Sequence, residues 1–117
     1  MPDKPLIWLG SSLRDIQHFP ARARRLAGFQ LRRLQQGLDP DDWKPMRTVG
    51  PGVREIRIQI SGAHRVFYVT TRPEAIYVLH AFEKKAQKTS AADLRSGRER
   101  LRSLEQLRQR DDKERRS

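Results

Sequence analysis

Residues 53–85 read VREIRIQISGAHRVFYVTTRPEAIYVLHAFEKK, and this stretch decides the fold. Two turn signals divide it into three β-rich runs. In the first, residues 53–61, Ile56, Ile58 and Ile60 alternate with Glu55, Arg57 and Gln59. A period of two puts the isoleucines on one sheet face and the polar set on the other. The polar face is expected to look outward, carrying Glu55 and Arg57. Ser61-Gly62-Ala63 supplies a hairpin turn, and His64 reads as part of it. The second run, 65–71, is apolar on both faces, so it is expected to be central. Arg72-Pro73-Glu74 turns the chain again. In the third run, 75–82, Ile76, Val78, His80 and Phe82 oppose Tyr77, Leu79 and Ala81. The expectation is a three-stranded antiparallel meander.

Upstream, residues 4–9 read as a short strand ended by Gly10, and Ser11 or Ser12 can cap a helix that stops near Phe19. Pro20 suits the first turn of a second helix, expected to about Gln36 with Gly37 as its stop. Ala23, Ala27, Leu31, Leu34 and Leu38 recur at spacings of three and four and form its apolar stripe. Arg22, Arg25, Arg32 and Arg33 lie away from much of that stripe and read as a solvated back face. Residues 38–52, rich in Asp, Pro and Gly, read as a loop anchored by Trp43. From Ala91 onward the pattern is helical, interrupted by Gly97, with Leu94, Leu101, Leu104 and Leu107 as its large apolar residues. The fold class is therefore α+β: a short N-terminal strand, two helices, the meander and a C-terminal helix. One domain is expected over residues 1–106. Residues 107–117 are charged, have nothing to bury and are expected to fray.

The chain has 117 residues, with 25 Lys and Arg against 14 Asp and Glu, a net charge of +11. Such a surplus draws polyanions and releases their counterions on binding. Nucleic acid is the first partner class, with an anionic membrane or an acidic protein as alternatives. The absence of cysteine removes disulfides, a thiolate nucleophile and cysteine zinc sites. Leu6 to Leu9 is too short an apolar run for a signal peptide or a membrane span, so a cytoplasmic location is expected. His18, His64 and His80 are scattered, and no phosphate-binding glycine loop occurs. No metal and no cofactor are expected.

What remains is cationic. Arg54, Arg57 and Arg65 lie on the first two strands, and Lys84, Lys85 and Lys88 follow the last. A meander can bring most of these to one rim, although strand alternation points Arg54 opposite to Arg57. Such a cluster suits RNA cleavage without a metal. The 2′-hydroxyl attacks the neighbouring phosphate, and fixed cations stabilise the extra negative charge of the phosphorane. Arg can grip two phosphate oxygens, while Lys acts as a point charge. A lysine crowded by cations can also lose its proton near neutral pH. Blander readings stand beside these. The lysines can be a solvated run, Arg65 can be buried with a carboxylate such as Glu55, and His80 can be a packing residue rather than a proton donor. Tyr68 reads as core.

Three segments resemble a known family: Arg54-Glu55-Ile56-Arg57, Gly62-Ala63-His64-Arg65-Val66-Phe67-Tyr68, and the run from Leu79-His80 through Phe82, Lys84 and Lys85 to Lys88-Thr89. They resemble the phage-derived Gp49-like branch of the RelE/HigB toxins, with its pattern E-x-R, G-x-x-R-x-x-Y and L-H-x-F-x-K-K-x-x-K-T. The resemblance implies a RelE-like fold and the toxin of a type II toxin–antitoxin system. It implies a ribosome-dependent mRNA endonuclease that inhibits translation, silenced by an antitoxin with a helix-turn-helix domain. By position, it gives Arg57 and Arg65 the scissile phosphate, and Lys84 and Lys85 further charge or a proton. Arg54, Lys88 and His80 would contact the nucleic acid. No tyrosine follows Tyr77 and no histidine lies in residues 38–52, where some relatives place catalytic groups. The proton-transfer residue therefore stays open. The alternatives are a ParE-like poison of DNA gyrase, a non-catalytic nucleic-acid binder and a phage adaptor protein.

Overall fold

The computed structural model describes residues 3–116. Met1, Pro2 and Ser117, which the leader and tail readings include, lie outside the described residues. The chain runs β1 (Leu6–Trp8), α1 (Ser12–Gln17), α2 (Ala21–Gln35), β2 (Trp43–Pro45), β3 (Val53–Gln59), β4 (Ala63–Val69), β5 (Ile76–Glu83) and α3 (Ala91–Arg116). The strands form one sheet in the order β1-β5-β4-β3-β2. β1 is parallel to β5, and every other pairing is antiparallel. The α+β class and the meander stand as expected, and the architecture is consistent with a RelE-like fold.

Alternation builds two apolar layers, one on each face of the sheet. On one face Ile56, Ile58, Val66, Tyr68, Ile76 and Val78 meet Ile16 of α1, Phe19 just after it, and Ala23, Ala27, Leu31 and Leu34 of α2. The two alanines let α2 lie close to the sheet. On the other face Val53, Phe67, Val69, Tyr77 and Leu79 meet Leu104 of α3, with Leu94, Leu101 and Leu107 at its margin. β4 is buried along nearly its whole length, as a central strand between two layers must be.

Several expectations need correction. Residues 38–52 are not all loop: Trp43–Pro45 pairs with β3 as an edge strand. Its three residues sit among Asp, Pro and Gly, which hid a run too short to show a period. Trp43 is half-buried on that edge, with the Arg54 guanidinium 4.2 Å above its ring. His64 is not a turn residue. It lies in β4, fully buried beside Phe19, with the ring centroids 4.6 Å apart. The turn is made by Ser61 and Gly62, both at positive φ. Neither Ser11 nor Ser12 caps α1 with its side chain. Ser12 is buried and donates to the Val78 carbonyl, 3.1 Å, while Ser11 donates to Asp15, 2.9 Å.

Two further differences shape the site. β5 carries a bulge: Phe67 faces His80 while Tyr68 faces Val78, so Leu79 is the extra residue. His80 and Phe82 thereby move to the α3 face with Tyr77 and Leu79, and Ala81 joins Ile76 and Val78 on the other. Gly97 does not interrupt α3. A Cβ there would stand 2.9 Å from the Phe67 ring and 3.0 Å from Val49, so glycine is what lets the helix touch the sheet. α3 runs on through residues 107–116. Arg108 donates to Glu74 at 2.8 Å, and Arg72 pairs with Glu105, so polar ties to the β4–β5 turn stand in for the missing apolar stripe. Among the described residues, no helix is long and apolar enough to cross a membrane.

Candidate functional site

The site forms where α3 leaves the sheet face uncovered. Strand register alone brings its residues together. Lys44 lies opposite Glu55, and Arg57 lies opposite Arg65. Arg65 in turn faces Phe82, and Lys84 follows just beyond the end of β5. The Lys84 backbone N–H donates to the Ala63 carbonyl at 2.7 Å, which fixes the start of the lysine segment against β4.

Glu55 stands at the centre with 1% of its side chain exposed. The expectation that it looks outward is therefore wrong. The sheet face around it is covered by its neighbours and by Phe67, its partner across the strands. Its Oε1 lies 3.5 Å from Arg65 Nε and 3.9 Å from Lys44 Nζ. Burial raises the Glu55 pKa, opposed by the positive charges of Lys44, Arg65, Lys84 and Arg57. Arg65 is itself 5% exposed and donates to the His64 carbonyl at 3.0 Å. Its partner is the one named as the rival to catalysis. Burial lowers the Arg65 pKa, Glu55 raises it and Arg57 lowers it. A guanidinium stays charged under any such shift.

Lys84 is half-buried. Its pKa is lowered first by burial and then by Arg65, with Glu55 acting the other way. Arg57 is also half-buried, and its Nε is 3.9 Å from the Asp42 carboxylate. The Arg57 N–H donates to the Asp42 carbonyl at 2.9 Å, so the acidic loop is pinned to the site's rim. Lys85 is exposed. With Arg65 and Lys84 it lines an open cavity of about 420 Å³ that Gln59, Ala63, Ala86 and Gln87 complete. Lys88 is exposed on an adjoining cavity together with Lys84, Lys85 and Asp93.

Two candidates fall outside this cluster. Arg54 points to the other sheet face, as alternation requires, and lies over Trp43 with Asp39 at 3.5 Å. His80 is buried under α3, where its Nε2 is 2.8 Å from the Asp93 carboxylate. It stacks on Phe82, with centroids 5.2 Å apart. The bulge that turned it over explains why strand alternation misplaced it. Lys44 and Asp42 went unnoticed as site residues in the sequence because one lies in, and the other just before, a strand only three residues long. Among the described residues, no group of three or more His, Cys, Asp or Glu side chains is placed to hold a metal ion.

The chemistry of this arrangement is anion binding. A half-exposed cation pair, Arg57 and Lys84, meets a buried Arg65 held by Glu55, and the surface lysines extend the charge outward. A phosphate entering the cavity would meet guanidinium and ammonium donors with part of their hydration already removed.

No curated protein gives a significant match to the chain. A family model described as phage-derived protein Gp49-like (DUF891) matches residues 14–102, from α1 into α3 and across every residue of the cluster. The chain belongs to this Gp49-like family, part of the RelE toxin-like group.

Proposed function

We propose that this chain is the toxin of a type II toxin–antitoxin pair and that it cuts mRNA on the ribosome. The observation that carries the reading is the convergence of Arg57, Arg65 and Lys84 around one buried carboxylate, at an open edge of the sheet. Glu55 holds the Arg65 Nε from behind, and Arg65 also lines the open cavity that a phosphate would enter. In the reaction the 2′-oxygen bonds to phosphorus and the bond to the 5′-oxygen breaks. The products are a 2′,3′-cyclic phosphate and a 5′-hydroxyl. Arg65 and Arg57 stabilise the phosphorane, which carries more charge than the substrate. The 2′-hydroxyl proton passes to water at the open face. Lys84, made more acidic by its burial and by Arg65, delivers a proton to the departing 5′-oxygen. Lys85 and Lys88 hold the flanking backbone as point charges. The antitoxin, with a helix-turn-helix domain, would silence the toxin by covering or neutralising this rim.

Inducing the chain alone should arrest growth, with mRNA cut inside translated regions. Arg57→Ala with Lys84→Ala should relieve the arrest. Both side chains are half-exposed, so the variant should fold as the parent does. DNA breaks with intact mRNA would instead indicate a gyrase poison.

A further inference from the structure

We propose that the outer face of α2 is a second RNA-binding surface, on the opposite side of the sheet from the cleavage site. This choice of ligand rests on the RNA-cleaving reading; the surface itself does not. α2 carries five arginines, Arg22, Arg24, Arg25, Arg32 and Arg33, and no carboxylate. Arg22, Arg25, Phe29 and Arg32 follow at spacings of three, four and three, so they share one face over about 15 Å. That face is solvent-exposed at each of the four positions. Arg22 and Arg25 have no ion-pair or hydrogen-bond partner among the described residues. Arg32 reaches Asp3 at 2.7 Å.

Stability does not explain this arrangement. Arg22, Arg24 and Arg25 crowd the start of the helix, whose first turn holds no acidic residue, and cations are unfavourable at that end of the dipole. Phe29 is 56% exposed in the middle of the stripe, the most exposed large apolar side chain among the described residues. Beside it Gly28 presents bare backbone, with nothing within 4 Å of where a Cβ would be. One ring flanked by guanidinium groups is too little apolar surface for a stable protein interface. It is the combination that holds single-stranded nucleic acid: cations along the backbone and a ring for one base. α2 packs its apolar side against the sheet face opposite the Glu55 cluster, so the strand held here is distinct from the one being cut. A ribosome presents both.

The test uses the full chain and an uncleavable 2′-O-methyl RNA oligonucleotide, with affinity read by fluorescence anisotropy over a range of salt. R22A/R25A should weaken binding and flatten the salt dependence by about one to two units of slope. F29A should weaken binding about tenfold, and F29W should restore it with quenched emission as a base stacks. Affinities and slopes equal to the parent's in R22A/R25A and F29A would overturn the proposal. So would unchanged RNA binding with lost binding to a polyglutamate peptide, which would make the face a dock for an acidic protein. Loss of binding in these variants of a chain that leaves mRNA intact would support this surface and refute the cleavage reading. Active cleavage with unaltered binding would do the reverse.

Discussion

At the scale of single residues, the Glu55–Arg65 pair decides what can be tested. Removing one member of a buried ion pair leaves the other charge without compensation, at a cost of about 3–5 kcal/mol. Arg65→Ala should therefore lower unfolding stability by about that amount in urea titration, as well as abolishing activity. A variant as stable as the parent would mean that Glu55 does not depend on Arg65. Arg57 and Lys84 lack this liability, being half-exposed. They are the positions where lost cleavage can be separated from lost folding. The sequence allowed Arg65 either a catalytic or a buried role. The structure has it buried against Glu55 and also lining the open cavity.

At the scale of elements, α3 shows how a helix without a full apolar stripe is held. Its first half uses Gly97 and Leu104 against the sheet; its second half depends on Arg108 and Arg72 reaching the β4–β5 turn. The Arg108 guanidinium holds the Glu74 carboxyl down to about 2, well below its ordinary 4.5. A carboxyl lowered on folding stabilises the folded state above its unfolded pKa, and that contribution fades as pH falls. The window here runs from about 4.5 down to about 2. Burial and the Glu74 hydrogen bond push Tyr77, at the start of β5, up to about 12. Arg108→Ala should return Glu74 towards 4.5 by NMR titration and speed amide exchange across residues 108–116. A Glu74 titration unmoved by the substitution would remove this tie. The meander and α2 were legible because each carries a period over several turns or pleats, and the six-residue α1 because turn and breaker residues bound it. Three features were not. β2 is too short for a period, and the β5 bulge breaks alternation without a Gly or Pro to mark it. The end of α3 is secured by ion pairs between residues more than thirty positions apart.

At the scale of the whole molecule, a charge of +11 is distributed over both sides of the sheet. One side gathers cations around a carboxylate, and the other spreads arginines along α2. The cluster was legible as a set of residue types, but its members were sorted only by register: Arg57, Arg65 and Lys84 together, Arg54 and His80 elsewhere. The most direct test is single-turnover cleavage of mRNA on programmed ribosomes, with the new ends identified chemically. Cleavage should leave 2′,3′-cyclic phosphate and 5′-hydroxyl ends and should slow at least a hundredfold in Lys84→Ala, at an unchanged melting temperature. Intact mRNA with the parent chain, or full-rate cleavage by the variant, would contradict a mechanism built on these cations.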